Sequence, residues 1–249
     1  KQWLIDLHQS LLPHQIKKVL QLKKEKTHIK WQKQIKLLLI SGKIMKNIAI
    51  IGGGSWGTAL AIVSSELGHS VKLWVYEAEL VTFINQKHCN EIYLKDFQIP
   101  HNVVASNSLS KSLESAQIVL TAVPANHCRS LYQAMVPHLT PDMIFVSATK
   151  GIESKSFQRM SQIMEDLISP FFQPRIAVIS GPSFAKEVAR GDPTAIVVAG
   201  PNKKINETIQ SEFSGSTLRL YTNNDIVGVE LAGAVKNVIA IAAGVCAGL

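Results

Sequence analysis

Hydrophobic positions in this chain fall into short unbroken runs separated by stretches of helical spacing, and the two kinds of segment alternate from residue 47 to residue 222. Runs such as Ile118-Val119-Leu120-Thr121-Ala122-Val123 are apolar throughout. That is the pattern of a strand covered on both faces. Strands are expected at 47–51, 71–76, 102–105, 117–123, 143–148, 175–180, 194–199 and 218–222, and helices at 57–67, 77–87, 108–114, 126–136, 156–168, 183–190 and 203–212. Such alternation predicts a doubly wound α/β sheet. From Ile226 the pattern turns helical and stays so to Leu249, like the first helix of a second, all-helical domain. The expected organisation is therefore a segment 1–44, an α/β domain over 45–222 and the start of a helical domain over 223–249.

The most informative junction follows the first strand. Gly52-Gly53-Gly54-Ser55-Trp56-Gly57 links an apolar run, Ile48-Ala49-Ile50-Ile51, to a helical stretch, and reads as G-x-G-x-x-G through Gly52, Gly54 and Gly57. A strand, a glycine turn and a helix in that order are the context in which this spacing binds a dinucleotide. Gly52 permits the tight turn, Gly54 lets backbone approach a pyrophosphate, and Gly57 lets helix and strand pack closely. The helix N-terminus offers free N–H groups and partial positive charge to the phosphates. The second strand ends at Tyr76-Glu77, with Glu77 twenty residues after Gly57. An acid there bonds the ribose hydroxyls of NAD in many such folds. It reads equally well as a solvated loop acid, and Tyr76 is able to stack on adenine, so NAD and NADP both stay open.

Charge sharpens the division of the chain. The net charge of +8 at first suggests nucleic acid, but residues 1–44 hold ten lysines against Asp6 and Glu25 and account for all of it. The remainder is balanced, and no nucleic-acid role is expected for it. Met45 stands directly before the first strand, so residues 1–44 read as upstream translated sequence, a dispensable extension or a basic amphipathic helix. They lack the apolar core and cleavage site of a signal peptide. Cys89, Cys128 and Cys246 show no metal-ligand or C-x-x-C spacing and read as reduced structural thiols of a cytoplasmic protein. Residues 231–249 are apolar enough to invite a membrane reading. Lys236 and Asn237 interrupt them, however, so a buried helix, not stable membrane insertion, is expected.

Three further stretches carry candidate chemistry: Ser147-Ala148-Thr149-Lys150-Gly151, Ser180-Gly181-Pro182-Ser183-Phe184-Ala185-Lys186-Glu187 and Gly233-Ala234-Val235-Lys236-Asn237. Ligands of open parallel sheets bind beyond the carboxyl ends of the strands, where Lys150, Gly181 and Ser183 fall. Lys150 suits an anionic substrate, or is an ordinary surface charge. Lys236 is the only charge in its 19-residue apolar stretch. Burial and a neighbouring cation would lower its pKa and make it a usable acid/base. Otherwise it snorkels to solvent.

Together with Gly52–Ala61, these motifs resemble bacterial NAD(P)-dependent glycerol-3-phosphate dehydrogenase, in order and at family-like spacing from about Met45 to Leu249. The resemblance implies a Rossmann-type sheet followed by a helical substrate domain. It also implies reversible hydride transfer between NAD(P)H and dihydroxyacetone phosphate, supplying glycerol phosphate for phospholipids, in a cytoplasmic homodimer. Carried over residue by residue, Ser55 and Trp56 contact the cofactor with the glycines, and Lys150 touches cofactor and substrate. Gly181 and Ser183 bind substrate, Ala185 binds cofactor and Lys236 is the proton acceptor. Tyr76 stands where the family usually has a basic residue or His, which puts an NADP preference in doubt. The family continues through further helices with an Arg–Asn pair for the substrate phosphate. Nothing corresponding follows Leu249, so a truncated chain with impaired turnover is expected. The competing readings are another hydroxy-acid dehydrogenase of the same architecture and an inert dinucleotide-binding fragment.

Overall fold

The structure, a computed structural model, describes residues 44–248. The readings of the basic segment up to residue 43 lie outside the described residues. In chain order the elements are β1 (Asn47–Ile51), α1 (Ser55–Glu66), β2 (Ser70–Trp74), α2 (Ala78–Lys87), β3 (Cys89–Asn90), β4 (Leu94–Gln98), β5 (Val103–Ser106), α3 (Leu109–Leu113) and β6 (Ile118–Thr121). They continue with α4 (Ala125–Met135), β7 (Ile144–Ser147), α5 (Met160–Ile168), β8 (Arg175–Ser180), α6 (Ala185–Arg190), β9 (Thr194–Ala199), α7 (Lys203–Phe213), β10 (Leu218–Asn223) and α8 (Ile226–Gly248). The expected strands and helices are present, with ends that differ by up to four residues in either direction.

Eight strands form one sheet in the order β10-β9-β8-β7-β6-β1-β2-β5. From β1 the chain winds outward through β2 to β5, returns to place β6 on the other side of β1, and winds the opposite way. The reversal between β1 and β6 creates a crevice at the carboxyl ends, where folds of this kind bind ligands. Neighbouring strands are parallel except β8 and β9. Along β1, Ile48 and Ile50 point into one apolar cluster and Ala49 and Ile51 into the other. This period-two alternation with both faces apolar is why the central strands read as unbroken hydrophobic runs. The edge strand β10 alternates buried Leu218 and Leu220 with exposed Arg219 and Tyr221.

The sequence reading missed a small hairpin, β3 paired antiparallel with β4. Its first strand is only two residues long, too short to leave a periodic signature. The helix expected from 156 starts at Met160, because Ile152 and Arg159 first close an antiparallel bridge across the intervening loop. The tail requires a larger correction. Instead of a buried helix, α8 is a 23-residue helix whose one buried residue is Glu230. By length and composition it could cross a membrane. Ile226, Gly228, Val229, Gly233, Ala234 and Lys236 are half-buried, and Val238, Ile239, Ile241 and Val245 are exposed.

The tightest constraint is between α1 and the turn before it. A Cβ on Gly57 would sit far inside contact distance of the Gly52 carbonyl oxygen. Gly52 itself has φ of 127°, and a Cβ there would lie 2.5 Å from the Ala122 carbonyl oxygen. Both obstacles are backbone, so neither moves aside cheaply. Gly57→Ala is expected to destabilise the fold by about 3 kcal/mol or more, read as a lowered midpoint in chemical denaturation. An unchanged midpoint would show that α1 is free to lift off β1.

Candidate functional site

The strand register aligns the loops that carry the predicted residues. Ile51 pairs with Trp74 on one side and Thr121 on the other, Thr121 pairs with Ser147, and Ser147 with Val178. Gly52 follows Ile51 directly. Lys150 and Gly181 each lie three residues beyond their paired positions, so they reach the same level above the sheet.

Gly54 is the N-cap of α1 and provides no side-chain cap, and a Cβ on it would meet nothing within 4 Å. The first amides of α1 therefore face open space with the positive end of the helix behind them. Ser55 is exposed at that mouth and Trp56 is half-buried. The indole Nε1 of Trp56 is buried without a hydrogen-bond partner among the described residues.

Lys150 is the centre of a second group. Its Nζ donates to the Gly181 carbonyl and to Ser183 Oγ, both at 3.1 Å. The same ammonium lies 5.4 Å from the Trp56 ring centroid, which ties this group to the glycine turn. Ser183 is buried and Lys150 half-buried. Burial, and secondarily the charge of Lys236, push the Lys150 pKa down to about 8. Lys236 is half-buried on α8, between the enclosed and the snorkelling readings, and its Nζ sits 5.1 Å from the centroid of the exposed Phe184 ring. Ala185, the first residue of α6, packs on the core beside α1.

Gly52, Gly54, Ser55, Trp56 and Gly57 thus adjoin Lys150, Gly181, Ser183 and Lys236. Tyr76 and Glu77 stand apart, at the end of β2, three strands from β7. Tyr76 is 80% exposed with its ring edge-on to Trp74 at 6.3 Å. The Glu77 carboxylate accepts a 2.6 Å bond from the Tyr93 hydroxyl.

Two supporting groups went unseen in the sequence. Asn90, in the missed hairpin, is fully buried. Its Nδ2 donates to the Gly53 carbonyl at 2.8 Å and to Thr58 Oγ1 at 2.9 Å, so it clamps the glycine turn from behind. Its Oδ1 accepts from the Tyr93 amide. An Asn before a short turn is too common to stand out. Behind Lys150, Arg129 of α4 forks onto the Glu153 carboxylate at 2.8–3.0 Å and bonds Gln158, pinning the loop that follows Lys150.

Asn90→Ala leaves the Gly53 carbonyl short of a partner in a dry setting and is expected to cost about 1–3 kcal/mol, measured by denaturant unfolding. Lys150 gives a pH signature. In the unfolded chain it keeps its proton to about 10.4, but in the fold only to about 8. Between those values the unfolded state binds more protons, so stability rises with pH across that window. The stability of the wild type relative to Lys150→Met is expected to improve between pH 8 and pH 10. A constant difference would mean that Lys150 is not desolvated.

With this geometry in view, comparison with known proteins is direct. Residues 47–206 match the family model of the NAD-dependent glycerol-3-phosphate dehydrogenase N-terminus, and residues 225–249 match that of its C-terminus. The chain is 52% identical over 206 residues to glycerol-3-phosphate dehydrogenase [NAD(P)+] of Koribacter versatilis, covering 82% of this chain and 61% of the relative. It is 40% identical over 205 residues to that of Bacillus velezensis, covering 82% and 59%. The crystal structure of glycerol-3-phosphate dehydrogenase from Coxiella burnetii superposes with a TM-score of 0.75 at 36% identity, covering 82% of this chain and 62% of that one. The chain therefore spans about three-fifths of the length of these relatives. With the first family model alone covering well over half of its residues, the chain belongs to the NAD-dependent glycerol-3-phosphate dehydrogenase family.

Proposed function

We propose that this chain carries the dinucleotide site, and part of the substrate site, of an enzyme that interconverts sn-glycerol 3-phosphate and dihydroxyacetone phosphate with NAD or NADP. The observation that carries the reading is the convergence of Lys150, Gly181 and Ser183 with Lys236 beside an uncapped glycine turn. In this reading residues 45–222 form the cofactor domain and 223–249 begin the substrate domain. The separate matches at 47–206 and 225–249 support that division.

The turn suits a dinucleotide on its own chemistry. The uncapped amides of α1 bind the pyrophosphate, Gly54 leaves room for it, and the unpaired Trp56 Nε1 has a donor to give. Ala185 would flank the bound cofactor and Tyr76 would meet its adenosine end. When bound, the nicotinamide supplies or accepts a hydride. Gly181 and Ser183 orient the substrate. Lys236 donates a proton to the ketone oxygen in reduction and accepts it from the C2 hydroxyl in oxidation. Lys150, cationic below about pH 8, offsets negative charge growing on that oxygen. The product serves as the glycerol phosphate backbone of phospholipids, and the complete enzyme is a cytoplasmic homodimer.

Titration with NADH and NADPH, with and without dihydroxyacetone phosphate, tests this reading through nicotinamide fluorescence and absorbance. Saturable binding is expected, with oxidation only in the presence of the ketone. Lys236→Met is expected to slow that oxidation by roughly 10²–10⁴-fold while leaving dinucleotide binding nearly unchanged. Failure of a chain that is folded by circular dichroism to bind either dinucleotide would overturn the proposal. Oxidation driven by 2-ketoacids and not by the triose phosphate would overturn the assigned substrate.

A further inference from the structure

Helix α8 is covered along one side only, through Ile226, Gly228, Val229, Glu230, Gly233, Ala234 and Lys236. Ile226 packs on the core at its start. Glu230 is the one buried residue of α8, at 8% exposed. Its Oε1 accepts from the Ser161 backbone amide at 2.9 Å. Its Oε2 accepts from Ser161 Oγ at 2.5 Å and from Arg159 Nη1 at 2.6 Å. Ser161 is the second residue of α5, whose N-cap, Arg159, has no side-chain oxygen to offer the free amides. A carboxylate from another helix thus caps α5, where the helix dipole favours negative charge.

One turn on, Gly233 closes the gap to the sheet. A Cβ there would run into Ser180 Oγ and reach within 4.0 Å of Lys150 Cγ. The next turn brings Lys236 to Phe184. Glu230 fixes both the rotation and the axial position of α8, because its two oxygens meet three donors on a different element. A shift of the helix by one residue would turn it by about 100° and advance it about 1.5 Å, which breaks the Glu230 contacts and takes Lys236 off its ring.

We propose that Glu230 is a positioning residue, holding α8 by its bonds to Arg159 and Ser161 in the register that sets Lys236 beside Lys150. The role of Lys236 as proton carrier rests on the function proposed above. The placement of Lys236 by Glu230 does not, and it is tested without turnover.

Lys150 is the reporter. Its titration is followed in the full chain by NMR of ¹³C-dimethylated lysines, with Lys150→Arg assigning the resonance. In the wild type a midpoint near pH 8 is expected. Loss of a nearby carboxylate, by direct electrostatics, would lower a lysine pKa. The positioning role predicts the opposite sign. Glu230→Ala or Glu230→Gln lets Lys236 and the cover of α8 move away, and the Lys150 midpoint rises from about 8 toward the ordinary lysine range near 10.4. Lys236→Met also raises it, by removing the cation. In that background the Glu230→Gln increment is expected to shrink, because one of the two groups it displaces is already gone. Glu230→Asp, which keeps the charge and most of the capping geometry, is expected to restore a midpoint close to wild type. Should Glu230→Ala fail to fold, Glu230→Gln decides. A falling or unmoved midpoint overturns the proposal. So does a rise of equal size with and without Lys236, since Glu230 would then act on Lys150 by another route. Failure of the folded wild type to bind either dinucleotide, with the midpoint shifts of the variants as expected, would instead count against the proposed function alone.

Discussion

The approach of α1 to the turn before it is the constraint on which the rest depends. Gly57 touches the Gly52 carbonyl, and Gly52 presses on the carbonyl of Ala122 at the end of β6. Three backbone segments meet with no side chain between them. Helix α1 can then bury nearly all its length, from Gly57 to Ser65, between the sheet and its neighbours. A helix buried so completely shows little amphipathic signal, which explains why Thr58–Ser65 carries no charge on any side. The same contact leaves the mouth of α1 open at the sheet reversal, because no larger residue at the turn fills it.

Electrostatics at that mouth is unbalanced by design of the fold. Two ammonium groups, on Lys150 and Lys236, converge in a half-buried place, and among the described residues neither forms an ion pair with a carboxylate. Lys150 is satisfied by neutral acceptors and an aromatic face, Lys236 by an aromatic face. The carboxylates are placed one layer back. Glu153 holds Arg129 and Glu230 holds Arg159. These pairs lock the loop after Lys150 and the helix under Lys236 while leaving the net positive charge in front. An anion is what such a place lacks.

Much of this was legible before any coordinates. The strand–glycine–helix order of 48–67 and the unbroken apolar run at 118–123 required a parallel sheet with a binding edge, and that edge carries Lys150, Gly181 and Ser183. The hairpin at Cys89–Gln98 was not legible, since a two-residue strand has no period and Asn90 clamps the turn through Gly53 and Thr58, both distant in sequence. Lys236 stands out in the sequence as a lone charge in an apolar helix, which leaves burial and snorkelling both open, and the structure half-buries it against Phe184. The Lys150 pKa is pushed down because that side chain is enclosed between Trp56, Gly181 and Ser183. Glu230 lies just outside the apolar stretch, and nothing in the sequence sets it apart from an ordinary charge at a helix start. Its burial comes from α5, seventy residues earlier.

The clamp made by Asn90 on Gly53 has a kinetic meaning as well. The turn is assembled from the end of β1, the hairpin, the end of β6 and the loop after β7, segments separated by up to about a hundred residues. Apart from the Thr58 hydroxyl, which also donates to the Gly53 carbonyl, the contacts that hold the turn are tertiary, so the turn in this form requires the sheet and the hairpin to be folded around it. Amide protons around it should exchange with solvent through global unfolding and not through local fluctuation, and a ligand seated there would slow exchange across the whole sheet, not at its own contacts alone.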